Sequence, residues 1–175
     1  MVIDPRFPIG PFARPGKVTS AQRVALIERI ASLPTRLRAA VAGLTETQLD
    51  TPYRVDGWTL RQVVHHVADS HMNAFIRTKL GVTEDRPTIK PYAEAAWAEL
   101  PDSRGMPIGG SLELLAGLHQ RWVVLLRGLP EAAFARTILH PESGELSIDV
   151  LVALYAWHGD HHLAHITSLQ IGARA

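Results

Sequence analysis

The 175 residues contain no cysteine. Disulfides, thiolate metal sites and cysteine nucleophiles are thereby excluded together, so any metal must be held by histidine, aspartate or glutamate. An excess of one charge is also missing. With 18 Lys and Arg against 17 Asp and Glu, the formal charge is +1, and no basic run forms a stripe that could follow phosphates. Nucleic acid is therefore not an expected partner. Apolar runs are broken by charges, which argues against a membrane anchor, and the opening Met1-Val-Ile-Asp-Pro-Arg-Phe-Pro lacks the basic and apolar regions of a signal peptide. A cytoplasmic protein is expected. Apolar content of 46% and charged content of 20% describe an ordinary globular chain, and the length suits one domain over residues 1–175.

What the chain has in excess is histidine near its end. Tyr155-Ala-Trp-His158-Gly-Asp160-His161-His162-Leu-Ala-His165-Ile166 packs four of the nine histidines into eight residues, directly after the apolar run from Ile148 to Tyr155. This reads as the second half of a buried helix. Residues four apart stack on one helical face, so His158/His162 and His161/His165 are both candidate two-point metal clamps.

Taken in order, residues 1–18 carry four prolines and two glycines and read as an ordered arm or a loose tail. Val24, Ile27, Ile30, Leu33, Leu37 and Val41 then follow a helical period from an N-cap at Ser20 to about Gly43, with Pro34 expected to bend or split the helix. Thr45 to Gln48 could cap a short turn. A second long helix is expected from Trp58-Thr59 to about Leu80. In its wheel His71 falls on the apolar stripe and reads as a hydrogen-bonded core histidine, whereas His65 points roughly opposite and reads as solvated. His66 lies on the flank with Ser70 and Asn73, where a core edge meets a polar cleft.

The crossover from Gly81 to Gly110 holds four prolines, with only Tyr92 to Leu100 long enough for a helix. Loops of this length often bind or cover something, so Tyr92 and Trp97 could wall a pocket. A third helix is expected from an N-cap at Ser111 to Gly128, with His119 and Arg121 as possible cleft residues. Pro130 to Phe134 makes a short turn, and Pro141-Glu-Ser-Gly144 between short apolar runs allows a small hairpin. The fourth helix starts at Ser147 to Asp149. Four long helices, one extended crossover and little strand define an all-α four-helix bundle, in which cofactor sites are built between facing helices.

Helical phase ranks the clamps. Leu151, Leu154, Tyr155, Ile166 and Leu169 set the apolar stripe, which His158 and His162 straddle, while His161 lies at its edge and His165 between. Two stacked imidazoles in mid-stripe each bring a donor and an acceptor that need partners in an apolar interior, which favours metal binding. A third ligand is needed. His66 is the natural choice, with His71, His119 and His165 as substitutes. Three neutral imidazoles suit Zn²⁺, with Ni²⁺ possible, and leave an open position where water is acidified or an external thiol is held as thiolate.

These segments carry a family likeness. Phe7-Pro-Ile-Gly10, Thr51-Pro-Tyr-Arg54, Gly57-Trp-Thr-Leu-Arg-Gln-Val-Val-His-His66-Val-Ala-Asp-Ser-His-Met-Asn73, Lys90-Pro-Tyr92 and Trp157-His158 to Ile166 together resemble the YfiT-like branch of the DinB superfamily. The resemblance implies a DinB-type four-helix bundle, a homodimer, and a metal on three histidines that match His66, His158 and His162. It implies a metal-dependent hydrolase of a small-molecule substrate or, as the alternative, an S-transferase that uses a low-molecular-weight thiol such as bacillithiol. A bundle that binds metal or ligand without turnover is the third possibility. Many DinB-type proteins follow the last ligand with Arg-Gly-Gln, and here Leu163-Ala164-His165 stands there, which leaves substrate details open. No general base is assigned, because helical phase turns Asp69 and Asp160 away from the inferred site.

Overall fold

The computed structural model describes residues 4–172, with side chains to residue 168. Four long helices form the frame: α1 (Ser20–Val41), α3 (Leu60–Thr83), α6 (Gly109–Gly128) and α7 (Ile148–Gly172). Short helices α2 (Glu46–Leu49), α4 (Glu94–Ala98) and α5 (Pro101–Gly105) fill the connections, and a 3-10 turn, Glu131–Ala135, precedes the hairpin β1 (Thr137–His140) and β2 (Gly144–Ser147). α1 packs on α6 and α7, and α3 packs on the same two helices, which closes the ring of a four-helix bundle. None of the described helices is long and apolar enough to cross a membrane.

The helix starts depart from the sequence reading. α1 and α3 are capped by Thr19 and Thr59 in full capping boxes with Gln22 and Gln62. Ser20 is therefore the first helical residue of α1, not its cap. α6 begins three residues earlier than expected, with Ile108 at the cap position, so Ser111 sits inside the helix. Its hydroxyl instead lies 2.8 Å from His65 Nδ1, while His65 Nε2 is 3.0 Å from the Met106 carbonyl. His65 is thus 5% exposed, not solvated. The crossover folds α5 against α3 and covers the helix face that the wheel had left open.

Pro34 neither ends nor splits α1, which runs through it. It does remove one N–H, the one that would donate to the Ile30 carbonyl. That carbonyl accepts from His119 Nδ1 at 2.7 Å instead.

The apolar core forms two clusters. One holds Ile27 and Ile30 of α1, Phe75, Trp122, Leu126 and the start of α7, and the other holds Leu33 and Leu37, Val63 and Val67, Leu112, Leu115 and Ile166. Between them along the helices lie His66, Ser70 and His71 on α3, His119 on α6, and His158 to His165 on α7. The bundle therefore encloses a polar layer between two apolar ends.

Contacts between α1 and α7 fix the rotation of α7 and hence where its histidines point. Arg23 reaches Asp149 at 2.6 Å, and Arg29 and Arg36 each reach Asp160 at 2.7 Å. Asp160 thus faces α1, away from the histidine layer. Gly159 permits this approach, since a Cβ there would meet Leu33 Cδ2 at 2.5 Å. The described part of the arm is ordered: Trp157 Nε1 donates to the Gly10 carbonyl at 3.2 Å, and Arg14 donates to the Glu145 carbonyl at 2.6 Å.

Candidate metal centre

One ring nitrogen from each of His66, His158 and His162 lies within 4.8 Å of the others, and no other group of this kind occurs among the described residues. His66 comes from the second turn of α3, and the other two come from successive turns of α7. Nε2 of His66 and Nε2 of His158 are 3.2 Å apart. His66 and His162 are buried, while an edge of His158 is accessible from the adjoining cavities.

The substitutes considered for the third position are placed around this cluster. His71 and His119 are fully enclosed and form a chain behind His158. His119 Nδ1 approaches the Ile30 carbonyl, His119 Nε2 is 2.9 Å from His71 Nδ1, and His71 Nε2 is 3.2 Å from His158 Nδ1. A carbonyl only accepts, so His119 Nδ1 must donate. Burial pushes the His119 pKa down to about 4 and that of His71 well below its usual value, so each ring carries a single proton. The remaining bonds then follow in sequence. His71 Nδ1 donates to His119, His158 Nδ1 donates to His71, and His158 Nε2 is left as a lone pair facing His66.

His165 stands against His162, with the two Nδ1 atoms 3.4 Å apart, and Tyr53 stacks on its other side at 4.1 Å. His161, which helical phase makes the likeliest bystander of the four, lies outside the tri-histidine group. It is 7% exposed and stacks on Trp157 at 4.4 Å, with Phe7 of the arm 6.1 Å away. The arm lies over that side of α7, and the helical wheel contains no information about it. Arg121 and His119 do not line the cleft: Arg121 is exposed over Phe75, and His119 is closed off behind His71.

The electrostatics keep the cluster neutral. Burial, followed by the fields of His161 and His165, lowers the His66 pKa to about 4. Burial holds His158 and His162 well below the usual imidazole range. Three unprotonated imidazoles with converging nitrogens are the donor set that a borderline divalent ion requires, so these residues fit such an ion.

A cavity of about 400 Å³ opens onto the cluster, walled by Trp58, Tyr53 and Trp157, with Arg6 and Arg54 also lining it. The Trp58 ring is 4.7 Å from that of His66. Trp58 was legible in the sequence only as a helix start, although it sits inside the Gly57-Trp-Thr motif. Ser70 is the other residue that the wheel left undeveloped. Its Oγ lies 3.4 Å from His158 Nε2.

The fold and this cluster define a four-helix bundle with a tri-histidine site between α3 and α7. The sequence profile of the DinB superfamily matches residues 29–166, and the chain belongs to that superfamily. Among its relatives, a protein of Bacillus mycoides (strain KBAB4), provisionally named a metal-dependent hydrolase, is 55% identical over 167 residues, covering 95% of this chain and 96% of its own. A Bacillus cereus (strain ATCC 10987 / NRS 248) protein with the same provisional name is 54% identical over the same length and coverage. The solved structure of YfiT from Bacillus subtilis, described as a "probable metal-dependent hydrolase with an unusual four-helix bundle topology", superposes with a TM-score of 0.94 at 45% identity over 97% of both chains. The four-helix bundle protein TT2238 shares the fold alone, with a TM-score of 0.57 at 19% identity over 85% of this chain and 98% of its own.

Proposed function

We propose that His66, His158 and His162 hold one divalent transition metal, Zn²⁺ foremost and Ni²⁺ next, and that the protein is a metal-dependent hydrolase of a small-molecule substrate. The observation that carries this reading is the convergence of three neutral imidazole nitrogens within 4.8 Å beside a cavity of about 400 Å³. The names of the relatives support the same class. When bound with an open position, such an ion acidifies water to a pKa of about 7 and polarises a carbonyl.

The chain's own residues supply the rest. The His119 to His71 chain fixes His158 in the tautomer with a free Nε2 and holds its ring plane. Trp58, Tyr53 and Trp157 narrow the approach and exclude water from the substrate's apolar surface. Ser70 Oγ is placed to hydrogen-bond a group reacting beside His158. Glu94 is the carboxylate shared by both cavities that touch His158, which makes it the candidate proton acceptor.

The positioning role gives a prediction. His71→Phe is expected to lower Zn²⁺ affinity by about 10- to 100-fold, the usual cost of losing a partner behind a metal ligand. Competition against a chromophoric chelator measures it, and unchanged affinity would show that the chain behind His158 does not orient it. The function is tested by metal analysis of purified protein, then by turnover of ester and amide probes with chelator, with restored Zn²⁺ or Ni²⁺, and with or without a low-molecular-weight thiol. Hydrolysis that disappears with chelator and returns with metal is expected. Turnover only with thiol would make the protein an S-transferase, with the thiol supplied from outside because the chain has none. Bound metal whose removal costs stability alone would leave a non-catalytic bundle.

A further inference from the structure

A second cavity, of about 440 Å³, shares His158 and Glu94 with the first and is lined also by Ser70, Arg77, Tyr92 and Tyr155. Arg77 is the unusual member. Three arginines are buried among the described residues, and two of them are neutralised: Arg23 by Asp149 and Glu131, and Arg61 by Asp50 and Glu46. Arg77, 8% exposed, has no carboxylate within ion-pair distance among the described residues. Its hydrogen-bond partners are the Tyr155 hydroxyl at 3.3 Å and the Lys90 carbonyl at 3.2 Å, both long. A guanidinium carries five N–H donors and stays charged at any pH a protein survives, so most of its bonding capacity is unmatched and its charge has no carboxylate in direct contact. Leaving a buried cation in that state destabilises a fold, and such a cost is retained where a ligand supplies the missing charge.

A second poorly matched donor lies in the same lining. Tyr92 Oη is buried with no hydrogen bond of normal geometry, and the Ser70 hydroxyl of the same lining is the side chain that interacts with it. Burial pushes its pKa up, which keeps the phenol protonated and therefore able to donate. What complements several N–H donors and one O–H donor is a group with acceptors only, and the planar fork of arginine matches an oxyanion with two coplanar oxygens. Glu94 and Glu142 also line the cavity, and they disfavour a second negative charge. The complement is thus a monoanionic carboxylate more than a phosphate dianion.

We infer that Arg77 and Tyr92 anchor a carboxylate of the substrate, so that the substrate class is small carboxylic acids whose labile bond lies toward His66, His158 and His162. Ser70 Oγ, which lines the cavity and lies 3.4 Å from His158 Nε2, marks the passage from anchor to cluster. The naming of a substrate rests on the hydrolase reading, whereas the binding of the carboxylate does not.

Acetate is the probe, with chloride and phosphate at matched ionic strength as comparisons, each with and without chelator so that binding to a metal is separated from binding to Arg77. Acetate is expected to raise the melting temperature of the wild type in a saturable way that survives chelation, more than chloride or phosphate does. Arg77→Met is expected to melt at the same temperature or higher without acetate and to lose the acetate response, and Tyr92→Phe to weaken it several-fold. If Arg77→Met does not fold, Arg77→Lys, which keeps the charge and loses the fork, is expected to lower acetate affinity at least tenfold. A role limited to tethering Lys90 would instead lower the melting temperature of Arg77→Met and leave the acetate response of Arg77→Lys intact, which overturns the inference. So would a wild type indifferent to acetate, or one that prefers phosphate. Probe esters with and without a free carboxylate separate this outcome from the reaction itself. Acetate binding without any hydrolysis keeps the anchor and removes the hydrolase, and hydrolysis indifferent to the carboxylate and to Arg77→Met does the reverse.

Discussion

Replacing His158 and His162 together by alanine is expected to lower the affinity for Zn²⁺ or Ni²⁺ by on the order of 10⁴-fold. Four-ligand zinc sites in small proteins bind with roughly 10–16 kcal/mol, or about 3 kcal/mol per ligand, and two ligands are lost at once. The double variant is expected to fold, because Leu151, Tyr155 and Ile166 still pack α7 and the contacts of Asp149 and Asp160 with α1 remain. His161→Ala is the matched comparison. Its ring stacks on Trp157 and lies outside the tri-histidine group, so its removal should leave metal affinity within a few-fold of wild type. Equal losses from both variants would mean that the second clamp, His161/His165, also takes part.

Acid is expected to unfold the metal-free protein sharply below neutral pH. Burial lowers the pKa values of His66, His119 and His165 to about 4, and holds those of His71, His158 and His162 well below the usual imidazole range. Because the folded values lie below the unfolded value of 6.5, the unfolded chain binds protons first as pH falls. The stability these groups contribute is fully present above pH 6.5 and is lost as pH falls toward about 4. Several buried imidazoles share this direction, so their losses add over the same pH window and the transition is steeper than one histidine would give. Asp69 acts the other way. Its pKa is raised to about 6 by burial, then by Asp102, so its contribution is present below 3.8 and lost as pH rises through 6. It offsets only a part of the histidine effect. Tryptophan fluorescence against pH, with chelator and with Zn²⁺, measures the transition, and metal is expected to move it to lower pH because protons and metal compete for the same nitrogens. A transition no steeper than one histidine produces would show that the layer does not act as a unit.

How much of this was legible in the sequence depends on how local each feature is. The four long helices, the hairpin and the Thr45 to Gln48 turn follow from periodicity and capping within a few residues, and the structure has them. The ranking of His158 and His162 over His161 and His165 came from phase within one helix, and the structure brings the first pair together with His66. Features that need two elements at once were not legible. His65 reads as exposed until α5 and α6 cover it, and the phase of α7, which puts His161 at the edge of the stripe, gives no sign of the arm that packs on it. Pro34 reads as a helix breaker, yet its consequence is a carbonyl released to His119, three helices' worth of geometry away from the ligand it helps to orient. Arg77 gives no sequence signal at all, because what distinguishes it is the absence of a carboxylate partner that Arg23 and Arg61 have.

The central claim is that one ion sits among His66, His158 and His162. Anomalous scattering at the zinc edge, from crystals grown with one equivalent of Zn²⁺ per chain, tests it most directly. A single strong peak bounded by those three imidazoles is the predicted result. No peak there, or a peak ligated by His161 and His165 in its place, would contradict it.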